Sequence, residues 1–244
     1  MARVDVVIPV YNEEHVLEKS VATLREFVAA NLPHEWRIVV ADNASTDGTL
    51  AVAQRLAEQY PAVSSLHIPQ KGRGRALRAA WLGSSADVLT YMDVDLSTDL
   101  AYFPPLVAAI VDEGYDVATG SRLAKGAQTT RSLRREFISR CYNLLIRALF
   151  FTRVSDSQCG FKAISRQAAQ ELVPLIENEE WFFDTELLLL AQKGGYRVKE
   201  IPVRWVEDPD TRVNIRKTVV EDLKGLWRMR RKRMPTRTPR ANVQ

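Results

Sequence analysis

The chain has 244 residues, 46% of them apolar and 26% charged, which suits a folded protein with one substantial core and excludes a disordered chain. The net charge of +4 is modest, but basic residues gather near the end, where residues 224–240 contain no acid. Two cysteines, Cys141 and Cys159, provide neither a disulfide framework nor a thiolate metal centre and fit a reducing compartment. Residues 4–10 are a continuous β-branched run and read as a strand. Residues 14–29 place Val16, Leu17, Val21, Leu24 and Val28 at helical spacing. The pattern then predicts a strand at 37–41, a helix at 47–59, a strand at 63–68, a helix at about 75–82 and a strand at 88–92. A helix near 100–112 and a strand at 116–119 follow. This alternation predicts an α/β fold, a mostly parallel central sheet with helices on both faces. The second half is less regular: helical at 131–153, a turn and short strand within 155–165, a helix over 181–195 closed by Gly194-Gly195, and a strand over 196–205. The last ten residues, rich in Pro, Thr and Arg, are expected to be disordered. No stretch approaches the roughly 20 apolar residues needed to cross a bilayer. The start, Met1-Ala2-Arg3 before VDVVIPV, lacks a leader-like layout. The expectation is a chain that does not span a membrane but can lie on one.

The residues that carry chemistry fall at strand ends. Tyr11, Asn12 and Glu13 follow the first strand, Asp42 and Asn43 end the second, and Asp93 and Asp95 end the fourth. Ligands of parallel sheets bind outside the carboxyl ends of the strands. Asp93 and Asp95 point to the same side, and two adjacent anions need a cation nearby. A hard divalent ion, held by one or two carboxylates and completed by substrate phosphates, satisfies that need. The alternative is a solvated turn, with Ser97, Thr98 or Asp99 capping the next helix.

Several blocks in order, VVIPVYNEE, ADNASTDGT, YMDVDLSTDL, GSRLAKGA, DSQCGFKAISR, WFFDTELLLLA and IPVRW, resemble family 2 glycosyltransferases with a GT-A fold. Within that family they resemble the dolichyl-phosphate β-glucosyltransferase and polyprenyl-phosphate glycosyltransferase group. The resemblance implies one GT-A domain over residues 1–226 and a basic tail over 227–244. It implies that Pro9, Tyr11 and Glu13 line a nucleotide pocket and that Asp42 holds the base. Asp93 would face the ribose and diphosphate, Asp95 would lead in binding Mg²⁺ or Mn²⁺ with Asp93 beside it, and Asp156 would be an active-site acid. Arg122 would lie near the phosphates. One departure is Asn43, where many relatives carry a second acid; Asn43 can hydrogen-bond but brings no charge.

Lys71-Gly72-Arg73-Gly74-Arg75 can cradle phosphate at a helix start, although it lacks a P-loop or dinucleotide spacing. The resemblance favours Lys71 and Gly72 for that role, while Arg73 and Arg75 read equally as a solvated basic turn. Asp184 and Glu186 sit in a first helical turn, where acids commonly favour the dipole; Trp181 and Phe182 beside them suggest that Asp184 is partly buried behind the site. His15, His34 and His67 are scattered and form no ligand set. In residues 131–153, Arg131, Arg134, Arg135, Arg140, Arg147 and Arg153 interleave with apolar residues and a single acid, Glu136. That pattern is either a core helix pair or a membrane-facing amphipathic segment, and KGLWRMRRKRM repeats the composition. No stacking platform accompanies it, so nucleic acid is not expected as a partner.

The resemblance therefore implies inverting transfer of a hexose, glucose from UDP-glucose, to a polyprenyl or dolichyl phosphate. The expected partners are a nucleotide-diphosphate sugar, the lipid phosphate and the membrane surface, at the cytoplasmic face. Arg122, Arg131 and Arg212 are the cations expected to hold the two anionic substrates together. Alternatives are GDP-mannose as donor, a soluble acceptor, or a silent nucleotide-sugar-binding module; the intact Asp93, Asp95 and Asp156 argue against the last.

Overall fold

The structure, a computed structural model, describes residues 1–207 and 215–232. Seven strands form one sheet in the order β3-β2-β1-β4-β7-β5-β8. They are β1 (Arg3–Val10), β2 (Glu35–Asn43), β3 (Val63–Ile68), β4 (Val88–Met92), β5 (Val117–Ser121), β7 (Phe161–Ser165) and β8 (Val198–Pro202). Pairings among β1 to β4 are parallel, as is β5 with β8; only β7 runs antiparallel, between β4 and β5. The expected mostly parallel sheet is what forms. Strands β6 (Gln128–Thr130) and β9 (Arg204–Val206) pair separately.

Strand alternation divides the core in two. Val6, Ile8 and Val10 of β1 pack with Leu17, Val21, Leu24 and Val28 of α1 (Leu17–Asn31), Leu56 of α2 (Thr49–Gln59) and Leu106 of α4 (Phe103–Val111). Val7 packs on the other side, with Leu77 and Trp81 of α3 (Arg73–Leu82) and Ile146 of α5 (Leu133–Phe150). Leu172 of α6 (Arg166–Leu172), Leu187 and Leu190 of α7 (Phe183–Lys193) and Leu226 of α8 (Ile215–Arg231) complete that layer. Helices therefore cover both faces, and β1, β4 and the second half of β2 are buried on both sides, as their apolar runs predict, while β3 forms a partly exposed edge. The sheet grows from β1 to β2 on one side and to β4 on the other. That reversal opens a crevice at the carboxyl ends of these strands.

The differences from expectation have local causes. Helix α1 begins at Leu17 rather than 14 because the preceding turn serves the neighbouring loop: the Glu13 backbone N–H donates to Thr49 Oγ1 at 2.7 Å and Glu14 Oε2 accepts from the Gly48 N–H at 2.7 Å. The strand expected over 196–205 divides at Val203. The Val203 N–H still bonds Ser121 O of β5 at 3.1 Å, but its carbonyl accepts from the Gln128 N–H at 3.0 Å, and from Arg204 the chain pairs with β6 instead. Helix α6 was not expected; Ser165 caps it by accepting the Ala168 N–H at 3.3 Å. Helix α8 runs through the position where a tail was expected to begin and reaches Arg231. The last ten residues lie outside the described residues.

Candidate active site

The loops leaving β1, β2 and β4 hold unusual backbone. Asn12 (φ 58°), Ala44 (φ 63°) and Leu96 (φ 51°) are left-handed although none is glycine. Such conformations persist where the surroundings enforce them, and they cluster at functional sites. Here the surroundings are visible. Asn12 Oδ1 accepts from the Thr46 N–H at 2.8 Å, and the Asn12 N–H donates to Ser45 Oγ at 2.9 Å, stitching the first loop to the second.

Asp42 ends β2 fully buried. His67 Nδ1 lies 2.7 Å from its Oδ2, and the Ser45 N–H donates to Oδ1 at 3.3 Å. Beside it Asn43 does what a second acid could not. Its amide Nδ2 donates to Val10 O at 2.6 Å while its Oδ1 accepts from the Gly72 N–H at 3.1 Å, so both ends of the amide are used. Gly72 has φ 154°, and a Cβ there would come within 2.6 Å of Glu179 O, so the turn into α3 requires glycine. Pro9 lies buried in β1 opposite Ala41 of β2. Tyr11 is half-buried, with Lys71 Nζ 3.6 Å above its ring centre. Glu13 is half-buried at the start of the turn before α1. Pro9 and Asp42 are thus buried near the carboxyl ends of β1 and β2, with Tyr11 and Lys71 nearer the surface there.

Asp93 and Asp95 follow β4 in the middle of it. Asp93 is 40% exposed, and its Oδ1 accepts from Arg73 Nη2 at 2.6 Å. Its Oδ2 lies over Gly160, where a Cβ would approach to 1.9 Å. Asp95 is exposed, and its Oδ1 accepts from the Ser97 N–H at 3.0 Å. A cleft of about 390 Å³ opens beside it, lined by Asp95, Leu96, Ser97, Asp99, Arg204, Val206 and Glu207. Among the described residues no three His, Cys, Asp or Glu side chains converge into a closed metal cage. Two carboxylates at an open strand end fit an ion that takes the rest of its oxygens from a substrate diphosphate and water.

Asp156 lies on the far side, fully buried, gripped by Arg122 through Nε at 2.7 Å, Nη2 at 2.9 Å and the backbone N–H at 3.0 Å. Burial alone raises a carboxyl pKa, but the Arg122 charge and hydrogen bonds override it and bring Asp156 down to about 2. The charges of Asp156 and, more weakly, Asp93 hold Arg122 protonated against the cost of its own burial. The Arg122 guanidinium also stacks on Trp205, 5.4 Å from its ring centre. Asp93, Arg122 and Asp156 therefore share one electrostatic site.

Arg131 stands nearby in sequence but is paired with Glu136 at 2.5 Å. Its Nη2 is buried with no hydrogen-bond partner among the described residues, a donor suited to an anion. Arg212 lies outside the described residues.

The residue that reading the sequence undervalued is Arg73. It is buried rather than a solvated turn, whereas Arg75 pairs with Glu179 nearer the surface. Arg73 answers the repulsion between the β4 acids from the protein side. Asp184, expected to be only partly buried, is 2% exposed and pairs with Arg73 Nη1 at 2.6 Å and Lys162 Nζ at 3.1 Å. The available signal was the glycine on each side of Arg73: a Cβ on Gly72 would meet Glu179 O and one on Gly74 would meet Phe183 of α7, so glycines let the start of α3 lie against that segment.

Residues 5–173 match the family model for glycosyl transferase family 2. Over 225 residues the chain is 38% identical to glycosyltransferase AglD of Haloferax volcanii, covering 91% of this chain and 35% of that protein. It is 30% identical over 220 residues to a dolichyl-phosphate beta-glucosyltransferase of Trichomonas vaginalis, covering 86% of this chain and 65% of that protein. The chain thus spans about a third and about two thirds of these relatives. The fold superimposes on glucosyl-3-phosphoglycerate synthase of Mycobacterium tuberculosis, solved with Mn²⁺, UDP and glucosyl-3-phosphoglycerate. The TM-score is 0.67 at 17% identity, over 94% of this chain and 80% of that one. The architecture is the GT-A fold, and the chain belongs to glycosyl transferase family 2.

Proposed function

We propose that this chain transfers glucose from UDP-glucose to the phosphate of a polyprenyl chain, with inversion at the anomeric carbon. The observation that carries the reading is the paired Asp93 and Asp95 at the switch of the sheet, with Asp42 and Lys71 to one side and Arg122 with Asp156 to the other. The first side suits a nucleoside and the second an anionic acceptor. The choice of sugar and lipid draws on the relatives named dolichyl-phosphate beta-glucosyltransferase, at 30% and 29% identity.

The acceptor phosphate is already anionic. Its oxygen forms the new bond to the anomeric carbon, the bond to the diphosphate breaks, and UDP leaves with the electron pair. No proton need be removed, which suits Asp156: a carboxylate held at a pKa of about 2 is a poor base but a good anchor for Arg122. Arg122, whose Nε and Nη2 are held by Asp156, keeps Nη1 for a phosphate, and Arg131 Nη2, without a partner among the described residues, offers a second donor. Asp95, with Asp93 beside it, would hold the divalent ion, which when bound neutralises the charge on the departing diphosphate.

The lipid acceptor also accounts for an otherwise costly surface. Leu133, Phe137, Leu144 and Phe151 at α5 are 88%, 69%, 67% and 88% exposed, and Trp227 of the adjoining α8 is 60% exposed. Arg134, Arg140, Arg147, Lys224 and Arg230 lie exposed among them. Apolar side chains interleaved with cations fit the interface of an anionic membrane. No described helix is long and apolar enough to cross one, so this surface would give attachment from one side, the cytoplasmic face in this reading.

The test of donor and stereochemistry is incubation with UDP-glucose, UDP-galactose and GDP-mannose in turn, followed by NMR of the product's anomeric proton. A β-glucosyl phosphate from UDP-glucose is expected. An α-linked product, or faster turnover with GDP-mannose, would overturn the assignment.

A further inference from the structure

We infer that Arg73, anchored from behind by Asp184, is a positioning residue for Asp93, so that the donor pocket depends on a buried link to helix α7. The inference rests on the donor reading above and adds a part of the machinery to it.

The two arms of the Arg73 guanidinium point opposite ways, Nη2 to the half-exposed Asp93 in the crevice and Nη1 to the buried Asp184, each at 2.6 Å. The group is sandwiched between rings, 4.9 Å from the centres of both Tyr91 and Trp181. Behind it the other Asp184 oxygen meets Lys162 Nζ at 3.1 Å and accepts from the Tyr91 hydroxyl. Two cations and two anions balance, and the charges of Lys162 and Arg73 hold Asp184 ionised although burial opposes it. A planar fork fixed at two points cannot swing, which a single contact would allow. Gly160 blocks Asp93 from the other side, since no Cβ separates its backbone from Oδ2. The Asp93 carboxylate is thus oriented before any donor arrives, which is how preorganised sites avoid reorganisation on binding. An ion pair serving only to join α3 to α7 would need no partner in the crevice. Arg73 gives one arm to each.

Calorimetric titration of UDP in the presence of Mn²⁺, with heat unfolding of each protein, separates the readings. Arg73→Gln should weaken UDP binding by about tenfold or more in the wild-type background. In an Asp93→Asn background the same change should cost less than about twofold, because the group it positions is already altered. Arg73→Lys, which keeps the charge and loses the fork, should fall between wild type and Arg73→Gln. If Arg73→Gln does not fold, Asp184→Asn with and without Asp93→Asn is read in the same way. An equal loss in both backgrounds would show that Arg73 contacts the nucleotide itself, and no loss in either would show a purely structural pair; each overturns the inference. A wild-type protein that binds no UDP would overturn the functional reading beneath it, an outcome distinguishable from the others.

Discussion

Asp156 and Arg122 form a closed pair in which the acid is fully buried and the base is capped by Trp205. The folded protein favours the Asp156 carboxylate, with its pKa lowered from 3.8 to about 2. The pair therefore contributes stability above the ordinary Asp value and loses it as pH falls toward 2. A shift of that size corresponds to about 2–3 kcal/mol. Asp156→Asn should flatten the fall of the unfolding midpoint between about pH 5 and about pH 2. The wild-type rate profile should show no Asp156 ionisation above pH about 4. An acidic limb near neutrality, with activity falling as pH drops, that vanishes in Asp156→Asn would instead make this residue a general base.

Gly160→Ala tests the wall behind Asp93. A Cβ within 1.9 Å of Oδ2 and 2.5 Å of Cγ must push the carboxylate off its Arg73 partner, a shift confined to a side chain that is 40% exposed. The expected outcome is a midpoint within a few degrees of wild type and UDP–Mn²⁺ binding weakened about tenfold or more. Unchanged affinity would mean that Asp93 does not touch the donor or its metal.

Asp42 carries both a structural and a proposed binding duty, since its oxygens already meet His67 and Ser45. Asp42→Ala should raise the UDP dissociation constant by about one to two orders of magnitude while kcat at saturating donor changes less. His67→Ala should reproduce part of that loss by freeing the carboxylate. Calorimetry showing wild-type affinity in Asp42→Ala would leave the residue with its structural contacts alone.

The α5 and α8 surface predicts salt-sensitive membrane attachment. Phe137→Asp with Trp227→Ala removes two exposed apolar side chains and should leave the core intact. Sedimentation with anionic vesicles should fall sharply in that variant, and wild-type binding should weaken as salt rises, because each cation near the surface contributes about 1 kcal/mol. Equal wild-type binding to neutral and anionic vesicles would contradict the role given to the arginines.

Much of this was legible in the chain. The strands that became β1, β4 and the second half of β2 are buried on both faces, so their apolar runs stand out, and the acids that follow them mark the crevice directly. What could not be read depends on long-range contact. Arg73 lies 20 residues from Asp93 and 111 from Asp184, and no local pattern reveals that it reaches both. The antiparallel β7 was visible as a strand, but its direction and its place between β4 and β5 are set by packing. Asn43 illustrates the opposite case: its lack of charge was evident at once, but its amide bridge from β1 to the α3 turn emerged only in three dimensions.

The most direct test is transfer itself. Protein is incubated with radiolabelled UDP-glucose, Mg²⁺ or Mn²⁺ and a polyprenyl phosphate, and the label entering the organic phase is measured for wild type and Asp95→Asn. The account predicts metal-dependent label in the lipid that EDTA abolishes and that falls by at least about two orders of magnitude in Asp95→Asn. Label that appears undiminished in EDTA, or that transfers only to a soluble phosphate acceptor such as 3-phosphoglycerate, would contradict it.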